Sequence, residues 1–426
     1  MFNSETLEKK WAPVLEAQDA PKFKDNYRKS ITAVLLENQE KALSEERAQS
    51  SFLAEGNEIG AGNGAIKTWD PVLISLVRRA MPNIVAYDIA GVQPMTMPTG
   101  LIFAMKSQYQ KNVGGTISNA NEALFSKPDT AFSGPVDTLT GERLDGNSED
   151  TTGTAAGYGS RTDATGFGNM GFTVEKTTVT AKTRALKAEY TMELAQDLKS
   201  VHGLDAEAEL ANILSVEILA EINREVIDTV NAKAIKGGIN GTFDLDQDAD
   251  GRWAVEKFKS LLFQIEVEAN EVAKATRRGK GNFIVCSSNV ASALAAAGVL
   301  DYAPALATNL NVDDTGNVFA GMINGRLKVF IDPFSSEDYV TVGYRGTNAY
   351  DAGMFYCPYV PLTMVRAVDP GTFQPKIGFK TRYGLVANPF AGGAGEGDGL
   401  GTAFANPYFR RFTVTGVGGT TYNNQY

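Results

Sequence analysis

Asp244, Asp246, Asp248 and Asp250 alternate along the chain and run into Gly251, the one stretch with the character of a metal loop. Alternating carboxylates before a glycine gather hard oxygen ligands around a sharp turn, which is how calcium loops are built. Counted from Asp246, the glycine falls at the sixth position, as in an EF-hand. The twelfth position, however, is Lys257, with Glu256 one place early. Two readings stand: a calcium site, or an acidic surface turn that leads into a helix. No other cofactor is expected.

Catalytic chemistry is sparser. The chain has one histidine, His202 in LKSVHGLD, which reads as a capping or packing residue at a helix junction. No triad and no histidine metal site can be built around it. GNGAIKT, 62–68, is superficially similar to a phosphate loop, but it lacks the glycine before Lys67 and a buried strand leading into it. RRGKGN, 277–282, reads as a basic helix end favoured by the helix dipole, with a phosphate or partner contact as the other reading. Phe355, Tyr356 and Tyr359 have strand-like spacing and suit core or subunit-interface packing. The chain is not expected to be an enzyme.

Composition bounds the elements that hold these residues. A chain of 426 residues can bury two or three modest cores, and 43% apolar content is ordinary for a folded protein. A net charge of −10 argues against nonspecific nucleic-acid binding, which needs a cationic face. It suits a protein that stays soluble at high concentration. No apolar run approaches the roughly 20 residues that span a bilayer. The N-terminus, MFNSETLEKKWAPVLEAQDAPKFKD, carries no apolar signal-peptide core. Cys286 and Cys357 form no CxxC pair, as expected of unpaired thiols in a reducing compartment.

Residues 26–55 predict an amphipathic helix on Ile31, Val34 and Leu35, with an apolar stripe so thin that it needs a partner. Glycines follow, and Asp70-Pro71 then opens a short apolar helix, VLISLVRRA. Residues 91–105 predict a turn into a strand, and Phe172 to Val179 alternates as the returning strand. Between them, 111–170 holds too few apolar side chains to offset ordering entropy. The clearest element is 204–235. There Leu210, Ile213, Leu214, Ile218, Ile222, Val226 and Val230 keep one apolar face, and Asp205 is placed to cap it. At 1.5 Å per residue this is a rod of roughly 45 Å. Past it, RWAVEKFKSLLFQIEVEANEVAKAT predicts a second helix, and GNFIVCSSNVASALAAAG a buried strand with a Ser-capped helix. Strands in RLKVFIDPF, DYVTVGYRG and DAGMFYCPYVPLTMVRA make 252–365 a mixed α/β lobe. GFKTRYGLVANPF and NPYFRRFTVTGV predict closing strands.

Long unbroken stretches carry a family resemblance: RRAMPNIVAYDIAGVQPMTMPTGLIFAM, LKAEYTMELAQDLKSVHGLDAEAELANILSVEILAEINREV, RWAVEKFKSLLFQIE, GKGNFIVCSS and FQPKIGFKTRYGLVANPF. They resemble the major capsid (head) proteins of T-even-type myoviruses, closest in style to those of cyanophages, over nearly the whole chain. The resemblance implies an α+β chain with the Hong Kong 97-like fold of phage shells. It divides the chain into a cleavable assembly segment (1–55), an N-arm (56–90) and an extended loop (91–180) with a polar insertion (111–170). A peripheral domain with the spine helix (181–251), an axial domain (252–365) and a return to the peripheral domain (366–426) follow. The family carries a sizeable inserted domain where this chain has 111–170, so decoration-protein sites on that insertion do not transfer.

The function implied is self-assembly into hexameric capsomers of an icosahedral head that encloses double-stranded DNA without specific binding and without a membrane. Implied partners are further copies in the same and neighbouring capsomers, a capsid vertex protein, a scaffolding core, a prohead protease, decoration proteins and a host chaperonin for folding. Assembly would take place in the host cytoplasm, and the product would be the virion. The family's protease cuts after a glutamate preceded two places earlier by Leu or Ile, a pattern that falls here on Leu53, Glu55 and Gly56. The alternatives are the pentameric vertex paralogue and, from a different class, a secreted calcium-dependent adhesin. The Asp-rich loop suits the adhesin; the missing signal peptide does not.

Overall fold

The computed structural model describes residues 4–16, 25–53, 84–110, 117–122, 169–249, 253–298, 300–302, 318–348, 350–369, 371–372, 374–389, 391 and 400–417. The expected helix after Pro71, and most of 111–170, lie outside them. The chain opens with two helices, α1 (Ser4–Leu15) and α2 (Asn26–Leu53). Ile31, Val34 and Leu35 are buried as their spacing predicts, but so are Thr32, Ala33, Leu36, Asn38 and Gln39. The helix is covered all round its middle, not along a thin stripe. Trp11 and Leu15 of α1 pack into the same core, as do Ile84, Val85 and, from the short helix α3 (Ala86–Ile89), Ala86, Tyr87 and Ile89. Lys10 ties α1 to Glu37 at 2.7 Å and Glu40 at 2.6 Å, and Arg28 ties α2 to Asp88 at 2.9 Å.

A four-stranded sheet runs in the order β1 (Gly91–Val92), β13 (Met354–Val368), β14 (Pro375–Ala387), β5 (Lys182–Glu189). Across it lies the predicted rod, α5 (Ala206–Lys233), which follows α4 (Met192–Val201). Asp205 caps α5, accepting from the amide of Glu207 at 3.1 Å. Leu214, Ile218, Ile222, Val226 and Val230 face the core, whereas Ile213, read from its spacing as core, is 61% exposed. Its 28 residues span about 42 Å.

The second lobe holds a larger sheet in the order β6 (Ala234–Lys236), β15 (Asn406–Thr415), β12 (Tyr339–Gly343), β8 (Phe283–Ser287), β11 (Leu327–Asp332), β10 (Val318–Ile323), β9 (Leu300–Tyr302), with β7 (Thr242–Asp244) also on β15. Helices α6 (Ala254–Thr276) and α7 (Ser288–Ala296) pack on it, and Leu261, Ile265, Val285's neighbours Ile284 and Cys286, and Leu294 are buried there. Ser287 caps α7, as its place before the helix predicts. The two sheets do not divide at residue 365. β13 belongs wholly to the first, and the last strand, β15, belongs to the second.

A third, three-stranded sheet, β3 (Ile117–Glu122), β2 (Thr99–Gln110), β4 (Asn169–Thr180), forms a ribbon beside these lobes. β2 and β4 pair antiparallel over their full twelve residues, Thr99 opposite Thr180 and Gln110 opposite Asn169. Helices and mixed sheets together make the chain α+β.

Candidate assembly surface

The residues singled out for chemistry are held within the chain. Asp244 accepts at 2.9 Å from the amide of Asp246, and Asp248 at 3.0 Å from the amide of Asp244. The Lys257 ammonium lies 2.6 Å from Asp246, so the residue at the twelfth loop position supplies a cation of its own. Asp250 lies outside the described residues, among which no three His, Cys, Asp or Glu side chains stand together as a metal site needs. His202 is exposed at the C-terminal cap of α4. In the basic turn, Arg277 closes α6 in the left-handed conformation at φ 56°. Lys280 pairs with Glu266, and Arg278 approaches Asp351 at 3.5 Å. Leu53 is the last residue of α2; Glu55 and Gly56 lie outside the described residues.

The surface that stands out was not legible as such in the sequence. Leu101 and Phe103 of β2 and Met170, Phe172 and Val174 of β4 share one face of the ribbon, in the register Leu101 opposite Thr178 and Phe103 opposite Lys176. All five are exposed, from 52% for Leu101 to 71% for Phe172. The opposite face carries Gln108, buried, and Thr173, whose hydroxyl donates to it at 3.2 Å. Ile102 and Val179 are buried only because they sit at the root, where they join Met95, Phe355, Cys357 and Val386. Alternation predicts a half-buried strand with its apolar side inward; here the apolar side faces out. Half or more of each side chain is still open to solvent, and covering it would stabilise by roughly 1 kcal/mol per residue. Exposed apolar patches of this kind mark interaction sites.

Beside the root, a groove of ≈ 250 Å³ lined by Thr178 to Thr180, Arg184 and Tyr383 leads to a shallower one of ≈ 750 Å³ along α5. Charges in it are matched. Arg184 donates to Glu221 at 2.8 Å and Glu225 at 2.6 Å, and the Tyr383 hydroxyl donates to Glu225. Burial first, and then that hydrogen bond, pushes the Tyr383 phenol far above its ordinary range. This is an ion-paired framework that fixes β5 and β14 on the spine, not a nucleophile with its base.

The family described as major capsid protein Gp23 matches residues 66–414. The chain is 40% identical to the major capsid protein of Salmonella phage ViI, over 96% of this chain and 97% of that one. The capsid vertex protein of Escherichia phage AR1 is 31% identical, but over 51% of this chain and 53% of its own length. Among solved structures, the capsid of Myoviridae Phage XM1 is similar with a TM-score of 0.40 and 10% identity, over 78% of this chain and 92% of that one.

Proposed function

The chain belongs to the Gp23 family of major capsid proteins, and on that premise we propose that the outward apolar ribbon joins its copies into hexameric capsomers. A major capsid protein assembles with itself into the shell of a phage head, and its place is the virion. No helix among the described residues is long and apolar enough to cross a membrane. Similarity to a vertex protein reaches only half the chain, which favours the main shell over the pentameric vertices.

The observation that carries the proposal is the ribbon face of Leu101, Phe103, Met170, Phe172 and Val174, apolar and exposed. In a Hong Kong 97-like arrangement the ribbon is the extended loop, α5 the spine of the peripheral domain, and the lobe around β8 and α6 the axial domain at the hexamer centre. The net charge of −10 supports an inner wall that does not trap packaged DNA. The role is structural, without catalysis, in a phage of the cyanophage type.

Residues 1–55 form an assembly segment that faces a scaffolding core and is removed by a prohead protease after Glu55. The pattern of Leu53, Glu55 and Gly56, with further glycines after it in the sequence, supports this, since cleavage needs backbone able to enter a protease cleft. A vertex protein, decoration proteins and a host chaperonin complete the proposed partners, with assembly in the host cytoplasm. Calcium is the alternative to Lys257 at the Asp246 turn; heat on calorimetric titration would support the ion, and no heat the turn. Electron microscopy of purified particles tests the main proposal: six-fold capsomers are expected, and a soluble monomer that never assembles with its scaffold would overturn it.

A further inference from the structure

One side chain of α2 reaches the root of the ribbon. Asn38, 4% exposed, donates from Nδ2 to the carbonyl of Met95 at 2.7 Å and to that of Tyr359 at 2.9 Å. Both acceptors lie where a ladder runs out. Residues 91–95 follow β13 in parallel, the amide of Gln93 donating to Tyr356 and that of Met95 to Pro358. The register of β13 on β14 then skips Tyr359, passing from Pro358 to Val360. A buried carbonyl left without a donor is strongly disfavoured, and Asn38 satisfies the two together.

Met95 in turn holds the ribbon. A Cβ on Gly100, the second residue of β2, would lie 2.9 Å from the Met95 Sδ. One on Gly384 of β14 would lie 2.4 Å from Val179 of β4 and 3.7 Å from the Met95 Cε. The Met95 side chain therefore fills the space that Gly100 leaves, while Val179 of β4 fills that of Gly384 with the Met95 methyl beside it, so the root of the ribbon packs on Met95.

We infer that Asn38 is a positioning residue through which α2 sets the direction of the ribbon. Without Asn38 the two carbonyls need other donors. Water, or a shift of residues 91–98, would supply them, and such a shift carries Met95 and the ribbon's root along. The tie exists in the uncut chain and does not rest on the proposed cleavage after Glu55.

Hydrogen–deuterium exchange on uncut particles, assembled from the full chain without the protease, tests the tie. Asn38→Leu is expected to raise exchange in 99–110 and 169–180 about tenfold, leaving 206–233 unchanged. Asn38→Asp keeps the shape while losing both donors, so it should do the same and shows that leucine packing is not the cause. Arg28→Leu breaks the ion pair of α2 with Asp88 and leaves Met95 untouched; its ribbon should exchange like wild type. Equal ribbon exchange in Asn38→Leu and wild type, or an equal rise in Arg28→Leu, would overturn the inference. If no particle is ever cut, the processing fails while the uncut comparison still decides the tie.

Discussion

Arg224 on the spine helix reaches across to Asp332 at the end of β11, its Nη1 2.6 Å from the Oδ2 of a carboxylate that is 1% exposed. The Tyr339 hydroxyl donates to the same oxygen at 2.7 Å, and the amide of Phe334 to the other at 3.1 Å. The pair clasps the two lobes. Arg224→Met would strand the buried charge and is expected to destabilise the chain by about 3 kcal/mol. Asp332→Asn, which keeps the shape, should cost about 1–2 kcal/mol. Denaturant unfolding of the unassembled chain measures both.

Buried phenols make the fold sensitive to base. Burial pushes Tyr27 up to about 12, and Tyr87, Tyr339, Tyr356 and Tyr383 further in the same direction. The unfolded chain ionises near the ordinary phenol value of about 10, while the folded chain keeps these protons. Stability is therefore fully present below that value and is lost as pH climbs toward the folded values, by about 1.4 kcal/mol per tyrosine for each pH unit. Thermal unfolding between neutral and strongly alkaline pH should show a plateau and then a steep fall. The buried tyrosines should add their share of the phenolate absorbance as a step at the unfolding transition.

Phe103→Asp combined with Phe172→Asp places two charges on the ribbon's apolar face. Both residues are more than half exposed, so monomer stability should change by less than about 0.5 kcal/mol. Assembly should fail. Sedimentation and electron microscopy are expected to show folded, unassembled subunits.

Processing after Glu55 predicts a mature subunit whose mass lacks residues 1–55, and an unprocessed one in Glu55→Ala particles. Mass spectrometry of the two particles decides it. An identical, shortened subunit in both would remove the proposal.

Local elements were legible where the chain alone decides them. Asp205 and Ser287 cap the helices their positions announce, and the rod ends at Lys233, within two residues of its expected limit. What was not legible depends on neighbours distant in sequence. Thr32, Asn38 and Gln39 look like the wet side of α2, yet they are buried, because α1 and the segment after Ile84 pack around it. Helix α4, capped by Thr191, has Met192, Ala195, Leu198 and Val201 at helical spacing, yet it buries none of its side chains. On the ribbon, the alternation of Phe172 and Val174 gave a strand but not its inner side. A sequence marks which residues want cover, and the cover for these two is not in their own core.

The all-round burial of α2 between Ile31 and Gln39 gives the proposed cut a direction in time. Within one chain the helix meets its seat at an effective concentration on the order of millimolar, and a severed segment meets it only as a dilute solute. Its apolar stripe is thin, so once free it would not persist as a helix in water. Return would require both encounter and refolding. Removing a segment built this deeply into the core therefore acts as a ratchet: the particle can move on from its first geometry but has no path back to it.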